Sequence, residues 1–234
     1  MKKQLLILII VLQFFDTFCQ NIEYKKLWIG SNRIYNYEDE GKMHAGKEGF
    51  LSSVLWFSEN EINIIIFVID YKNCTIFLDT LKYEYRIIGK KIVGNNNNDT
   101  SLIGSIKKNI LKIKIGAKRN NVELTYLLPG KNLDIIKADT LEIKKLLLNG
   151  KWKTVVKGEN IYEEFLPNRR YKLSTWQNEQ KWDIFKIFDY NFLITNDCFD
   201  RPFISLLKKI NSHETEFLVF TKEKINEYKK VKIK

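Results

Sequence analysis

Histidine, cysteine, proline and glycine are all scarce in this chain. Its 234 residues include two histidines, three cysteines, three prolines and eleven glycines. So few metal-binding side chains argue against zinc frameworks, and so few glycines argue against Gly-rich nucleotide-binding folds. Three cysteines are also too few for a disulfide-dense miniprotein. Hydrophobic residues, in contrast, make up 44% of the chain and charged residues 29%, a composition that favours a packed core over disorder.

The N-terminal segment has the layout of a secretory signal peptide. Two lysines precede an apolar run from Leu5 to Phe15, which is about eleven residues long, whereas a membrane-spanning helix needs roughly 20. Thr17 and Cys19 are small residues of the kind that precede a cleavage site. We therefore expect residues 1–19 to be removed and the protein to be exported, with a periplasmic, cell-envelope or extracellular location and no transmembrane segment after cleavage.

Two alternatives remain open for this segment. Cys19 could carry a lipid as the first residue of a lipoprotein, although Phe18 is bulkier than the residue that usually precedes such a cysteine. The segment could also stay attached as an uncleaved anchor. Its pattern resembles the signal peptides of Bacteroidetes, many of which place a glutamine, here Gln20, just after the cleavage site.

Cleavage after Cys19 leaves two cysteines, Cys74 and Cys198, which lie in different halves of the chain. In an oxidising compartment they could form one disulfide that joins the two halves. The alternative is two buried free thiols, because cysteine is often a small core hydrophobe. Neither cysteine has CxxC spacing, so the pattern indicates no zinc or redox site.

Most of the chain after residue 20 alternates between apolar and polar residues, which predicts strands with one buried and one exposed face. Leu111, Ile113 and Ile115 alternate with lysines, for example. The run from Ile62 to Ile69 is almost continuously apolar and β-branched, which favours a strand buried on both faces. Many short strands with turn residues between them are typical of antiparallel barrels or sandwiches.

One segment has helical spacing instead. Asp139 and Glu142 form a plausible capping pair ahead of a short apolar helix. We therefore predict a barrel or sandwich over residues 20–138, a helical connector over 139–149 and a second barrel over 150–234. The fold class is all-β, with two tandem small antiparallel barrels joined by a short helix.

The second half carries short motifs of a known kind of barrel. Gly150 and Trp152 lie in a Gly-x-Trp-like first strand, and an aromatic strand, a turn at Asn168 and the strand around Tyr171 follow. This order resembles the small lipocalin-like domains of secreted Bacteroidetes proteins, over residues 146–234 and more faintly over 25–128. The resemblance implies up-and-down barrels in which Trp152, and Trp28 in the first half, plug one end. It implies no single activity.

No catalytic or metal-binding motif is recognisable. His44 and His213 both fall in polar loop sequence, and Glu163 and Glu164 would face opposite sides of a strand. We therefore predict no catalytic residues, no metal and no cofactor, and enzymatic activity is not expected. The net charge of +11 is spread over lysines mixed with acids, which favours solvated strand faces over a nucleic-acid surface.

Trp176 and Trp182 flank a polar loop and give one candidate ligand site. Aromatic side chains at a barrel mouth can grip an apolar or sugar ligand. The alternative is a hairpin whose ends pack both tryptophans into the core.

Together these features predict a non-enzymatic, exported binding protein for a small apolar or amphiphilic ligand, such as a lipid-like molecule. The alternative is a structural or protein-interaction module of the cell envelope, with filled barrels and no ligand. The oligomeric state is left open.

Overall fold

The computed structural model shows an all-β protein with two closed antiparallel barrels and one helix between them. The alternation of apolar and polar residues along the strands explains both barrels, because it gives each strand one face for the interior and one for the outside. The structure describes residues 26–39, 42–70, 72–96, 101–116, 120–130, 136, 138–148, 150–175, 180–196 and 202–233.

Barrel 1 contains nine strands, eight of which close the barrel. In chain order they are β1 (Trp28–Asp39), β2 (Lys42–Gly49), β3 (Ser53–Phe57), β4 (Glu61–Asp70), β5 (Thr75–Ile88), β6 (Lys91–Asn95), β7 (Ser101–Lys107), β8 (Ile110–Gly116) and β9 (Asn120–Leu127).

Strand β1 pairs with three strands, one along one of its edges and two along the other. One edge pairs with β9 and closes the barrel, with Ile29 opposite Leu127. The other edge pairs first with β3, through Trp28 and Ile29. It then pairs with β2, where Arg33 lies opposite Gly49. Strand β2 is thus an extra strand laid along β1 at one end of the barrel.

Helix α1 (Thr140–Leu147) lies between the barrels in sequence. Asp139 occupies the N-cap position that the sequence predicts, but its side chain makes no capping hydrogen bond. Ile143 and Leu147 are fully buried in the core of barrel 2. The helix therefore closes one end of barrel 2 as well as connecting the two barrels.

Barrel 2 is a closed eight-stranded up-and-down barrel. Its strands are β10 (Lys151–Val156), β11 (Glu159–Phe165), β12 (Arg170–Leu173), β13 (Gln180–Ile187), β14 (Tyr190–Asn196), β15 (Phe203–Ile210), β16 (Glu214–Thr221) and β17 (Lys224–Ile233). Strands β10 and β17 pair to close it, with Trp152 opposite Lys232. The predicted fold class, two small antiparallel barrels joined by a short helix, is confirmed.

A third apolar cluster holds the two barrels against each other. From barrel 1 it contains outward-facing side chains such as Ile29, Val54 and Phe67, and from barrel 2 it contains residues such as Phe192 and Leu206. The ring centroid of Phe67 lies 5.8 Å from that of Phe185 and 6.2 Å from that of Phe192. Because the burial of apolar surface stabilises such a contact, the barrels form one packed unit.

This contact explains the continuously apolar strand of the sequence. In β4, Ile62 and Ile64 point into the core of barrel 1, while Phe67 faces barrel 2. The strand is therefore buried on both of its faces over part of its length, as its β-branched composition predicts.

Candidate functional site in the open end of barrel 1

Large side chains fill the interior of barrel 2. Trp152, Phe165 and Trp182 lie at its centre, with exposed fractions of 0%, 1% and 3%. The indole nitrogen of Trp152 donates to the Leu147 carbonyl at 3.1 Å, and that of Trp182 donates to the Leu166 carbonyl at 3.1 Å. Both tryptophans are thus fixed by apolar packing and by a hydrogen bond.

A polar cluster lies among these aromatic rings. The Lys230 ammonium pairs with the Glu163 carboxylate, and the Tyr171 hydroxyl donates to the same carboxylate oxygen at 2.7 Å. The ammonium also lies 4.5 Å from the centre of the Phe217 ring, within range of a cation–π contact. Burial, and secondarily the negative charge of Glu163, raises the pKa of Tyr171 well above its ordinary value. Tyr171 therefore stays protonated and acts as a hydrogen-bond donor.

Barrel 1 is filled at one end only. Near the start of β1, Trp28, Leu55 and Phe57 form a dense core. Towards residues 33–35 of the same strand, a cavity of about 410 Å³ opens. It is lined mostly by inward-facing side chains of the barrel and of the segment before β3, namely Arg33, Tyr35, Leu51, Ser53, Ile64, Ile66, Val68, Leu81, Tyr83, Ile115, Val122, Leu124 and Tyr126.

Arg33 and Tyr35 occupy the outer end of this cavity. They are two residues apart on β1 and therefore point to the same side of the strand. The Arg33 Nη1 atom donates to the Tyr35 hydroxyl at 3.1 Å. The guanidinium carbon lies 5.2 Å from the centre of the Tyr35 ring. Tyr35 is 43% exposed, so this end of the cavity is in contact with solvent.

A pair of hydroxyls lies deeper in the cavity wall. The oxygens of Ser53 and Tyr126 are 3.0 Å apart, and both side chains are fully buried. Burial raises the pKa of the Tyr126 hydroxyl, so Tyr126 is neutral at physiological pH. Each hydroxyl carries one hydrogen, and their mutual hydrogen bond uses one of the two.

A second cavity, of about 480 Å³, lies on the outer wall of barrel 1. Four of its charged residues form ion pairs across the two barrels. Lys112 pairs with Glu223 at 2.5 Å, and Lys222 pairs with Glu48 at 3.3 Å. These ion pairs support the contact between the barrels, and we do not assign this cavity to a ligand.

The residues singled out in the sequence lie mostly in the two cores. Trp28 and Trp152 are buried in the interiors of barrel 1 and barrel 2. Trp182 is buried in the core of barrel 2, whereas Trp176, its partner in the candidate ligand site, lies outside the described residues. The ligand site predicted at Trp176 and Trp182 stays a prediction, and the cavity of barrel 1 is a separate candidate.

Cys74 takes part in a disulfide. Its Sγ atom lies 3.5 Å from the Asn196 Oδ1 atom of barrel 2. Both other cysteines, Cys19 and Cys198, lie outside the described residues, as does the predicted signal peptide. The pairing of Cys74 with Cys198 thus stays a prediction, to which the nearness of Asn196 lends support.

The two histidines lie in different barrels, and His44 is on strand β2, not in a loop as its sequence predicts. His44 stacks on Tyr37, with 5.5 Å between the ring centroids. His213 is exposed in the turn before β16. Among the described residues, no group of three or more histidine, cysteine, aspartate or glutamate side chains is placed to hold a metal ion.

The residues at the outer end of the cavity were not predicted from the sequence. Period-2 alternation from Trp28 places Arg33 on the outer face of β1, and the irregular register between Gly30 and Asn32 turns it into the barrel, so the sequence pattern carried no signal for it. The sequence of the short strand β3 also did not indicate that Ser53 lines the cavity. Whether a barrel interior is filled or open depends on how the side chains of all eight strands pack together. The pattern of a single strand does not contain this information.

Comparison with known proteins adds no family to this picture. Within the part of the chain that the structure describes, no helix has the length and apolar character needed to cross a membrane. No protein-family model matches the sequence, and no curated protein matches it significantly.

Proposed function

We propose that the chain is an exported, non-enzymatic binding protein that holds a small apolar or amphiphilic molecule in barrel 1. The observation that carries the proposal is the cavity of about 410 Å³ at one end of that barrel. Ligand sites in proteins commonly enclose roughly 300–1,000 Å³ and are mostly apolar with a few polar groups. The cavity of barrel 1 fits that description in both size and lining.

The contrast between the barrels supports the proposal. Both have eight strands in the closed ring, and both bury a tryptophan near the start of the first strand. Yet in barrel 2 the aromatic side chains and helix α1 fill the interior. In barrel 1 the inner side chains at the open end are smaller and aliphatic, such as Ile66, Leu81 and Val122. This end has the room and the apolar surface that a hydrocarbon group needs.

Barrel 2 gives some support to the second candidate, a structural or interaction module of the envelope. Large side chains pack in its interior, and part of its outer wall is covered by barrel 1. In our proposal, barrel 2 has this structural role and supports barrel 1, which contains the cavity.

Filling the cavity tests the proposal directly. Val122 is half-buried and lines the cavity, so Val122→Trp places an indole where the ligand would lie. Protein purified from its own envelope is analysed by native mass spectrometry, and we expect a bound lipid-sized mass on the wild type that is lost in the variant. Dodecanol, added to protein freed of lipid, serves as the defined probe in a calorimetric titration.

Val155→Trp is the matched control, because Val155 is 59% exposed on barrel 2. This variant should bind dodecanol like the wild type. Wild-type protein that carries no extra mass and does not bind dodecanol would contradict the proposal and favour the structural module. Equal binding by the wild type and Val122→Trp would place the ligand elsewhere and also contradict it.

A further inference from the structure

We propose that the inner floor of the barrel 1 cavity binds the carbonyl oxygen of a neutral, otherwise apolar ligand through the hydroxyl groups of Ser53, Tyr83 and Tyr126. This inference rests on the proposed function and names its ligand class, with an aliphatic ketone as the simplest case. It depends on where these three hydroxyls lie and on the hydrogens that they have left to donate.

Three strands bring these hydroxyl-bearing side chains to the point where the cavity meets the dense core of the barrel. Ser53 begins β3, Tyr83 lies on β5 and Tyr126 lies on β9. All three line the cavity and are at most 2% exposed. Both tyrosines also belong to the core cluster that contains Trp28, and Tyr126 pairs with Gly30 near the start of β1. The three side chains therefore form the floor of the cavity, at the end away from solvent.

The pair of Ser53 and Tyr126 has one hydrogen left to donate. Their oxygens are 3.0 Å apart, and either hydroxyl can be the donor. Whichever one donates, the hydrogen of the other has no acceptor among the described residues. Because a buried donor without an acceptor is rare and destabilising, it marks a position where a bound molecule can supply the acceptor.

Tyr83 supplies a second donor to the same floor. Within the described part of the chain, its hydroxyl makes no hydrogen bond. It lies close enough to the Tyr126 hydroxyl that a negative charge on Tyr83 would raise the pKa of Tyr126. Burial raises the pKa of both hydroxyls above the ordinary value. Both therefore stay protonated at physiological pH and can donate.

Two neutral donors in apolar surroundings suit a carbonyl oxygen. Such an oxygen has two lone pairs and no hydrogen, so it can accept from both donors. The described lining contains no aspartate, glutamate or lysine, and Arg33 lies at the outer end. A charged group at the floor would therefore be buried without a counter-ion, at a large cost. The hydrocarbon chain of the ligand would lie along the aliphatic wall, which includes Ile66, Leu81 and Val122.

A ketone and its apolar counterpart test the floor. Methyl octyl ketone is compared with its methylene analogue, in which a CH₂ group replaces the oxygen, so that the two probes have nearly the same shape. Each is equilibrated with lipid-free protein through the vapour phase, and gas chromatography of the vapour gives the amount bound. The wild type should bind both probes. Because a hydrogen donated to the oxygen weakens the C=O bond, the bound ketone should absorb at a lower infrared frequency than the same ketone in hexane.

Variants of the floor give the second arm. Ser53→Ala and Tyr126→Phe are combined in one protein, because either hydroxyl alone could still donate. This double variant should bind methyl octyl ketone about tenfold more weakly than the wild type, the effect of one lost hydrogen bond in an apolar site. Its affinity for the methylene analogue should be unchanged. Tyr83→Phe should also weaken the binding of the ketone alone. Tyr228→Phe, on β17 and away from the cavity lining, is the matched control and should bind both probes like the wild type.

The possible failures are distinguishable. Equal affinity of the wild type and the double variant for the ketone overturns the role of the hydroxyls, while binding of the methylene analogue leaves the cavity of the proposed function intact. A wild type that binds neither probe overturns both proposals. If the double variant does not fold or loses both probes, the infrared band of the ketone bound to the wild type decides. A band at the hexane position then overturns the inference, and a lowered band supports it.

Discussion

Lys230 and Glu163 form an ion pair inside barrel 2, on strands β17 and β11, with exposed side-chain fractions of only 12% and 7%. The two strands both neighbour β10 but not each other, so the pair spans the strand between them. Tyr171 supplies a second donor to the same carboxylate. Such a pair fixes the relative position of three strands, because its charges lose their partners if the strands slip.

Breaking this pair should destabilise the protein strongly. Lys230→Met leaves the Glu163 carboxylate buried without its cation, which should cost about 3–5 kcal/mol in the free energy of unfolding. Urea denaturation followed by tryptophan fluorescence measures the loss. The double variant Lys230→Met, Glu163→Gln should recover a large part of it. Lys172→Met, at an exposed position of barrel 2, should change the stability by no more than about 0.5 kcal/mol. A loss of that small size for Lys230→Met would mean that the pair is not buried.

Because the two barrels are packed against each other, they should unfold together in one cooperative transition. Phe67 is 2% exposed and touches two rings of barrel 2, so Phe67→Ala should cost about 3–5 kcal/mol. Differential scanning calorimetry should show one transition in the wild type, shifted as a whole in the variant. Phe77→Ala is the control on the adjacent β5, where the side chain is 48% exposed. Two separate transitions in the wild type, of which only one responds to Phe67→Ala, would show that the barrels unfold independently.

Acid should lower the free energy of unfolding, in part by protonating Glu214. Hydrogen bonds from Lys209 and Lys229 lower the pKa of Glu214 from 4.5 to about 2. A carboxyl whose pKa is lower in the folded state adds stability above the unfolded value and loses it as the pH falls towards the folded value. The urea midpoint of the wild type should therefore fall between pH 4.5 and about 2 more steeply than that of Glu214→Gln. Glu59→Gln, in an exposed turn, should run parallel to the wild type. Parallel curves for Glu214→Gln as well would contradict the assignment.

The disulfide of Cys74 should join the two barrels by way of Cys198. A bridge between these positions closes a loop of more than 100 residues, which the loop-entropy model values at about 4–5 kcal/mol. Alkylation without reductant, followed by proteolysis and mass spectrometry, should give one linked pair of peptides that contains both cysteines. Reduction should release the two peptides and lower the thermal midpoint. Separate alkylated peptides from the unreduced protein would exclude the bridge.

Local sequence patterns predicted the alternating strands and the helix, but not β2, whose residue His44 was expected in a loop. Leu111 and Ile113 point into barrel 1 and the lysines between them point outward, as their alternation requires. Asp139 is the N-cap residue of α1, although the helix ends at Leu147 and not at the expected residue 149. The helix stops early because Leu148 has extended backbone angles and pairs with Phe165 as an isolated bridge.

The candidate site could not be predicted in the same way. Alternation counted from Trp28 would place Arg33 on the outside of barrel 1, and only the irregular register between Gly30 and Asn32 turns it inward. Alternation also does not tell whether the side chains opposite an inward residue fill the interior. The contact between the barrels was also missed, although a run such as Phe192-Leu193-Ile194 has no polar face. Phe192 and Ile194 face barrel 1 while Leu193 faces the interior of barrel 2. Such runs are a usable signal for a strand covered on both sides.

The apolar surface between the barrels affects folding during synthesis, because barrel 1 is made before barrel 2. Barrel 1 can close as soon as β9 is available, since β1 pairs with it directly. Ile29 and Val54, both fully buried in the finished protein, lie on the outside of that barrel and face partners in barrel 2. Until the second half of the chain is synthesised, barrel 1 exposes this apolar surface to solvent. Chaperones or rapid docking of barrel 2 must then protect it from aggregation.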